Sequence, residues 1–201
     1  MGLPKGALPE LDEADRRRLL EIARQAITQA VRGRRSQQLS DPSGRLGRPA
    51  AVFVSLHKHR RLRGCIGHVT ALEPLYRAVA DAAVSAALQD PRFLPVREDE
   101  LEDLEIEISV LSPMGPVDPA QAEKLIRIGR HGLLMSRGRR RGLLLPQVAV
   151  EYGWTAREFL EETCLKAGLP RDAWCTGALV EMFSAVVFSE KKAGAAYCNS
   201  T

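Results

Sequence analysis

Aromatic residues make up only 5% of the 201 positions, and lysine is scarcer still: 6 lysines stand against 23 arginines. A surface for single-stranded nucleic acid alternates cations with stacking rings. None of the basic clusters here, at residues 16–18, 32–35, 57–63 and 137–141, contains an aromatic side chain. The net charge of +4 therefore reads as solvated arginines, and nucleic acid is not an expected partner. No apolar run approaches the ~18 residues of a membrane span. The opening Met1-Gly2-Leu3-Pro4-Lys5-Gly6 has no apolar leader core, so a cytoplasmic, membrane-free protein is the expectation. The 4 cysteines, Cys65, Cys164, Cys175 and Cys198, include no CxxC pair, which excludes a zinc knuckle and a thioredoxin-like redox motif. Also missing are a phosphate-binding glycine loop, a serine nucleophile elbow and a metalloprotease helix motif. No set of metal ligands stands out either. His57 and His59 make an i, i+2 pair, too few for a site that needs three or four donors.

What remains is an ordinary globular composition, 45% hydrophobic and 27% charged, long enough for one sizeable core and a smaller lobe. Asp12 to Val31 reads as an amphipathic helix with Leu20, Ala23, Ile27 and Ala30 on one face, stopped at Gly33. The stretch 33–49, rich in Gly, Arg, Ser and Pro, reads as a mobile linker. Two strands follow, 51–56 and 62–69, joined by a polar turn over 57–61. A helix is expected over 74–88, broken at Asp90-Pro91, and a short acidic helical turn begins at Glu98. Strict alternation then places Leu104, Ile106, Ile108 and Val110 on one face of a strand and Glu105, Glu107 and Ser109 on the other. Beyond Pro113 the pattern predicts a short helix near Glu123 and a hairpin of 133–136 with 142–145 around an arginine-rich turn. A helix opened by Thr155 and Glu158 and stopped at Gly168 follows, then a final strand over 181–188. Local strand pairs interspersed with helices predict an α+β fold rather than a doubly wound parallel sheet.

Chemistry concentrates in Arg63-Gly64-Cys65-Ile66-Gly67. Glycines on both sides of a thiol suggest shaped backbone that a ligand can approach. A cysteine becomes a nucleophile when nearby positive charge lowers its pKa, and Arg63 and His68 are the local cations. In an extended strand, however, Arg63, Cys65 and Gly67 share a face that His68 does not. Only a bulge at Gly64 or Gly67 would bring the imidazole round. The alternative is a structural cysteine in a strand packed on a helix. His131, between Arg130 and Gly132, is a candidate acid/base. Asp90 braces the turn that carries Arg92, whose planar fork suits a carboxylate or phosphate. Gln147, after Pro146 at the end of the hairpin, is placed to donate to a substrate.

The ordered series of motifs resembles the AMMECR domain family, in its prokaryotic AmmeMemoRadiSam-system branch. It runs from Leu62-Arg63-Gly64-Cys65-Ile66-Gly67 through Asp90-Pro91-Arg92-Phe93, residues 106–113, Gly129-Arg130-His131-Gly132-Leu133 and residues 144–149 to Trp154 and Lys166-Ala167-Gly168-Leu169. The resemblance implies one domain of two lobes over residues 12–190, with flexible termini at 1–11 and 191–201. It implies an α+β architecture: an antiparallel sheet flanked by helices, with a second, smaller lobe. It implies two partners, a Memo-like protein related to extradiol dioxygenases and a radical S-adenosylmethionine enzyme, and a site around Arg63 to Gly67. It leaves the cofactor and the reaction open. Two roles fit. In one, Cys65 is nucleophile or ligand, Arg63 its electrostatic support and His131 the acid/base. Gly64, Gly67, Asp90, Arg92 and Gln147 would then shape a site for an anionic or amide-bearing substrate. In the other, the same surface is the interface of an adaptor.

Overall fold

A computed structural model describes residues 10–34 and 44–190. The terminal segments and most of the anticipated linker lie outside these residues. The described chain forms two compact units, a larger one of residues 10–110 and 186–190 and a smaller one of residues 111–185.

In the larger unit, α1 spans Glu13–Val31. Asp12 caps it by accepting the Asp15 N–H at 2.8 Å, while Asp15 accepts the Asp12 N–H at 3.3 Å. This closes a reciprocal box over two otherwise unbonded donors. Its buried face is Leu19, Ile22, Ala23, Ala26 and Ile27. That is one residue round from the expected stripe, because Leu20 only flanks the core. Strands β1, Ala51–Lys58, and β2, Arg61–His68, pair antiparallel. The polar turn anticipated over 57–61 shrinks to His59 and Arg60, both at positive φ (50° and 64°). A two-residue hairpin loop needs that twist, usually supplied by Asn-Gly. Helix α2, Leu75–Leu88, follows Pro74 and packs on β1 and β2. Its alanines at 78, 80, 82, 83, 86 and 87 are buried, and such small side chains allow close helix–sheet contact. A 3₁₀ turn at Glu98–Glu100 precedes β3, Leu104–Leu111. The expected alternation holds to Ile108, but Ser109 and Leu111 are buried as well, so the end of β3 is covered on both faces.

The smaller unit holds β4, Gly115–Pro116; α3, Pro119–Leu125; β5, His131–Arg137; and β6, Arg140–Leu144. Then come α4, Pro146–Glu151; α5, Ala156–Lys166; and β7, Leu179–Ser189. Helix α4 replaces the hairpin end expected at Pro146-Gln147. Proline fits a first helical position, where no N–H partner is required. Thr155 and Glu158 form the predicted capping box on α5. Strand β5 lies between β6 and β7, antiparallel to both, and β4 pairs with β7. Leu133, Met135, Phe159, Leu160, Cys164, Val180 and Met182 share this unit's core.

The end of β7 belongs to the larger unit. There the Glu190 N–H donates to the Ile106 carbonyl at 3.1 Å, and Arg24 of α1 pairs with the Glu190 carboxylate. The larger unit's sheet carries β2 at its edge, next to β1 and then β3. Helices with an antiparallel sheet make this an α+β fold. Among the described residues, no helix is long and apolar enough to cross a membrane.

Candidate functional site

Cys65 sits opposite Ser55 across the β1–β2 ladder, and the Ser55 hydroxyl donates to its Sγ at 3.3 Å. This pairing depends on a β-bulge. Leu56 faces Gly64 but His57 faces Leu62, leaving Arg63 as the extra residue. Without it, the register would slip by one and turn Cys65 to the other face.

The exposed side of β2 would leave the Cys65 backbone groups unpaired, the usual liability of an edge strand. A side-chain pair closes them instead. Asp90 Oδ2 accepts the Cys65 N–H at 2.8 Å, and Arg92 Nη2 donates to the Cys65 carbonyl at 3.2 Å. Asp90 and Arg92 are joined by Nη2 to Oδ2 at 2.7 Å and Nε to Oδ1 at 2.9 Å, and the Arg92 N–H reaches Oδ1 at 3.1 Å. The Asp90-Pro91-Arg92-Phe93 turn thus does for this point of β2 what another strand would. The Asp90 side chain is only 2% exposed, that of Arg92 47%. Hydrogen bonds from Arg92, reinforced by the Cys65 N–H, hold the Asp90 carboxyl far below the usual carboxylate range. The Arg92 guanidinium also lies 5.4 Å from the centre of the Phe93 ring. The result is a cation braced from below with one edge turned outward.

Burial governs the thiol. Burial pushes the Cys65 pKa up, against opposing effects of the Ser55 hydroxyl and the Arg92 charge. A protonated thiol at neutral pH is a weak nucleophile.

Arg63 points its chemistry elsewhere. Its Nε and Nη2 grip Glu100 at 3.2 and 3.0 Å, and its Nη1 donates to the Leu94 carbonyl at 2.9 Å. Lys58 Nζ adds a bond to Glu100 at 3.1 Å, and the Arg97 N–H one at 3.1 Å. With these donors, Arg63 first among them, the Glu100 carboxyl falls to about 2. Arg63 therefore ties the 94–100 segment to β2, and Arg92 takes the place by the thiol that the sequence suggested for Arg63.

The two glycines are filled from within. A Cβ at Gly64 would run into the Ala86 carbonyl of α2, and one at Gly67 into the Val52 carbonyl and the Phe53 ring. Close approach is needed at both positions, and the approaching groups are α2 and Phe53.

His131 and Gln147 belong to the smaller unit. His131 opens β5, is buried, and accepts the Arg127 N–H on Nδ1 at 3.1 Å. That bond favours the tautomer with hydrogen on Nε2. Burial and the charges of Arg130 and Arg127 lower its pKa, so the ring is neutral at pH 7. Its polar contacts fasten the loop between α3 and β5. Gln147 is half-buried at the second position of α4. Of the candidate residues, the fold brings together Cys65, Asp90 and Arg92. Ser55 and Glu100 complete the two networks and were not legible from the motif. The only signal for Ser55 was its position across a hairpin whose bulge the sequence does not announce. Among the described residues, no group of three or more His, Cys, Asp or Glu side chains is placed to hold a metal ion.

The fold and this braced edge define an α+β protein built around a Cys–Asp–Arg cluster on a sheet edge. The AMMECR1 family model matches residues 20–188, and the chain belongs to that family. A protein of Methanothermobacter thermautotrophicus is 46% identical over 185 residues, covering 90% of this chain and 96% of its own length. A protein of Methanopyrus kandleri is 44% identical over 181 residues, 87% of each chain. The crystal structure of an uncharacterized protein from Pyrococcus horikoshii is similar with a TM-score of 0.82 and 41% identity, covering 86% of this chain and 90% of that one.

Proposed function

We propose that this chain is a component of an AmmeMemoRadiSam-type system, acting with a Memo-like protein and a radical S-adenosylmethionine enzyme. Its own part is to hold an anionic group at Arg92 beside the protonated Cys65 thiol. One observation carries the binding role: Asp90, almost fully buried, braces Arg92 through two bonds while leaving the guanidinium half exposed. A fixed guanidinium edge recognises a carboxylate or phosphate at low entropic cost. The raised thiol pKa favours this reading over a stand-alone cysteine-dependent enzyme. His131 and Gln147 have no assigned step in it.

Reconstitution of the three proteins tests the proposal, with S-adenosylmethionine consumption and co-purification as readouts. Arg92→Gln should leave the complex intact and weaken turnover at least ~10-fold, the equivalent of ~1.4 kcal/mol, mainly through KM. Cys65→Ser should retain most of the activity. If omitting this chain changes neither turnover nor the association of the other two, the proposal fails. A Cys65→Ser variant that abolishes turnover with the complex intact would restore a nucleophilic cysteine.

A further inference from the structure

We infer that the outer edge of β2 takes the C-terminal end of a partner polypeptide as an added antiparallel strand, with its terminal carboxylate on Arg92. The inference rests on the anion-binding reading of Arg92 and names the class of its ligand.

The ladder fixes where a strand can add. Opposite residues of an antiparallel pair alternate between two kinds: those that exchange both hydrogen bonds, and those whose N–H and C=O point away from the partner. Cys65, opposite Ser55, is of the second kind: its N–H donates to Asp90 at 2.8 Å and its carbonyl accepts from Arg92 at 3.2 Å. Gly67 lies opposite Phe53, two residues further on in unbroken register, and is therefore of the same kind. Its N–H and C=O project from the edge just past the Asp90–Arg92 pair. Among the described residues, β2 stands at the end of its sheet, and Gly67 is partly exposed. Such an edge recognises peptide main chain, which a free phosphate or a small carboxylate does not carry.

Direction and terminus follow from Arg92. An antiparallel newcomer runs from His68 towards Cys65. Its residue opposite Gly67 exchanges both bonds with that glycine. Two residues later it would fall opposite Cys65, where Asp90 and Arg92 already make those bonds. The added chain therefore ends one residue after the partner of Gly67. Its carboxylate arrives at the half-exposed guanidinium that the buried Asp90 holds in place, a charge-assisted contact. A parallel newcomer would bring an N-terminal ammonium to the same cation, and like charges repel. Opposite residues also share a face, so the penultimate side chain lies where the Phe53 ring crowds Gly67. An apolar, β-branched residue suits that position.

The test is a titration of the full chain followed by ¹⁵N–¹H correlation spectra. The probe is acetyl-Ser-Thr-Gln-Thr-Val-Leu with a free carboxylate. One control is its C-terminal amide, another carries an N-methyl group on the valine, and acetate and inorganic phosphate stand for the anion alone. The free acid should move the amides of Cys65, Ile66, Gly67 and His68, saturating below ~1 mM. Amidation and N-methylation should each weaken it at least ~10-fold, the first by removing the charge and the second by removing the N–H that reaches the Gly67 carbonyl. Arg92→Gln should weaken the acid to the level of the amide. Where that variant fails to fold, because the buried Asp90 carboxylate has lost its cation, the two peptide controls decide alone. Acetate or phosphate moving these amides as strongly as the peptide, or equal binding of the methylated peptide, would overturn the added strand and leave Arg92 as an anion site. Equal binding of the amide would overturn the role of the carboxylate, and no shift with any probe would overturn both readings. Shifts at the same amides on deleting residues 191–201, with no peptide present, would identify the chain's own tail as the occupant and overturn a partner.

Discussion

At the scale of single residues, Cys65 shows how position decides what a side chain can do. In the motif it stands between an arginine and a histidine, yet the positive charge that reaches it comes from Arg92, 27 residues on. Burial outweighs that charge. Iodoacetamide at pH 7.5 should therefore label Cys65 at least ~10-fold more slowly than the exposed Cys175, since alkylation follows the thiolate fraction. Peptide mass spectrometry of a time course reads this directly, and faster labelling of Cys65 would contradict a protonated thiol. The motif told us that a thiol, a guanidinium and two glycines sit together. It did not tell us that Arg63 would be spent on Glu100, because nothing local links β2 to a 3₁₀ turn 37 residues away.

Elements were legible where their signals are local. Asp12, Thr155, Gly33 and Gly168 mark helix ends by capping and left-handed backbone, and each was readable from the residue type alone. The β1–β2 hairpin was legible as two strands and a polar turn, but its register was not: its two-residue turn uses His59 and Arg60 where glycine or asparagine is usual, and its bulge lies at Arg63. Helix α4 was hidden because six residues carry too little periodicity to stand out beside a hairpin. Contact between elements explains Gly64. Its missing side chain is what lets the alanine face of α2 lie on β2. Gly64→Ala should lower the unfolding free energy by about 2–3 kcal/mol, because a backbone carbonyl cannot swing aside as a flexible side chain would. Gly138→Ala, with φ of 62° and open space around it, should cost only about 1 kcal/mol of backbone strain. Urea titrations of both variants test the difference; equal losses would mean that α2 tolerates the methyl group.

For the molecule as a whole, the buried ionic groups set the response to acid. Glu100 titrates at about 2 when folded against an ordinary 4.5. The unfolded chain therefore takes up the proton first, and the stability this group confers is present above ~4.5 and lost as pH falls through ~2. The shift corresponds to on the order of 3 kcal/mol. Asp90, depressed further, has the same sign. His131, lowered by burial, adds a smaller loss beginning as pH drops below ~6.5. Urea midpoints should thus decline gently from pH 7 to 5 and steeply below ~4.5. Glu100→Gln should start lower at pH 7 and flatten the steep part. A midpoint unchanged between pH 7 and 3 would remove these networks as contributors to stability.

By itself the sequence determined the α+β class, the positions of most helices and strands, the family and the segment in which the chemistry lies, since each depends on local periodicity, caps or motif order. Only the tertiary structure decided which charge faces the thiol, that Asp90 and Arg92 close the edge of β2, and that α2 and Phe53 fill the space at the two glycines. Those outcomes depend on a one-residue bulge and on contacts between residues 25 to 37 positions apart. Side-chain hydrogen bonds of that range follow from register and packing, which no window of neighbouring residues contains.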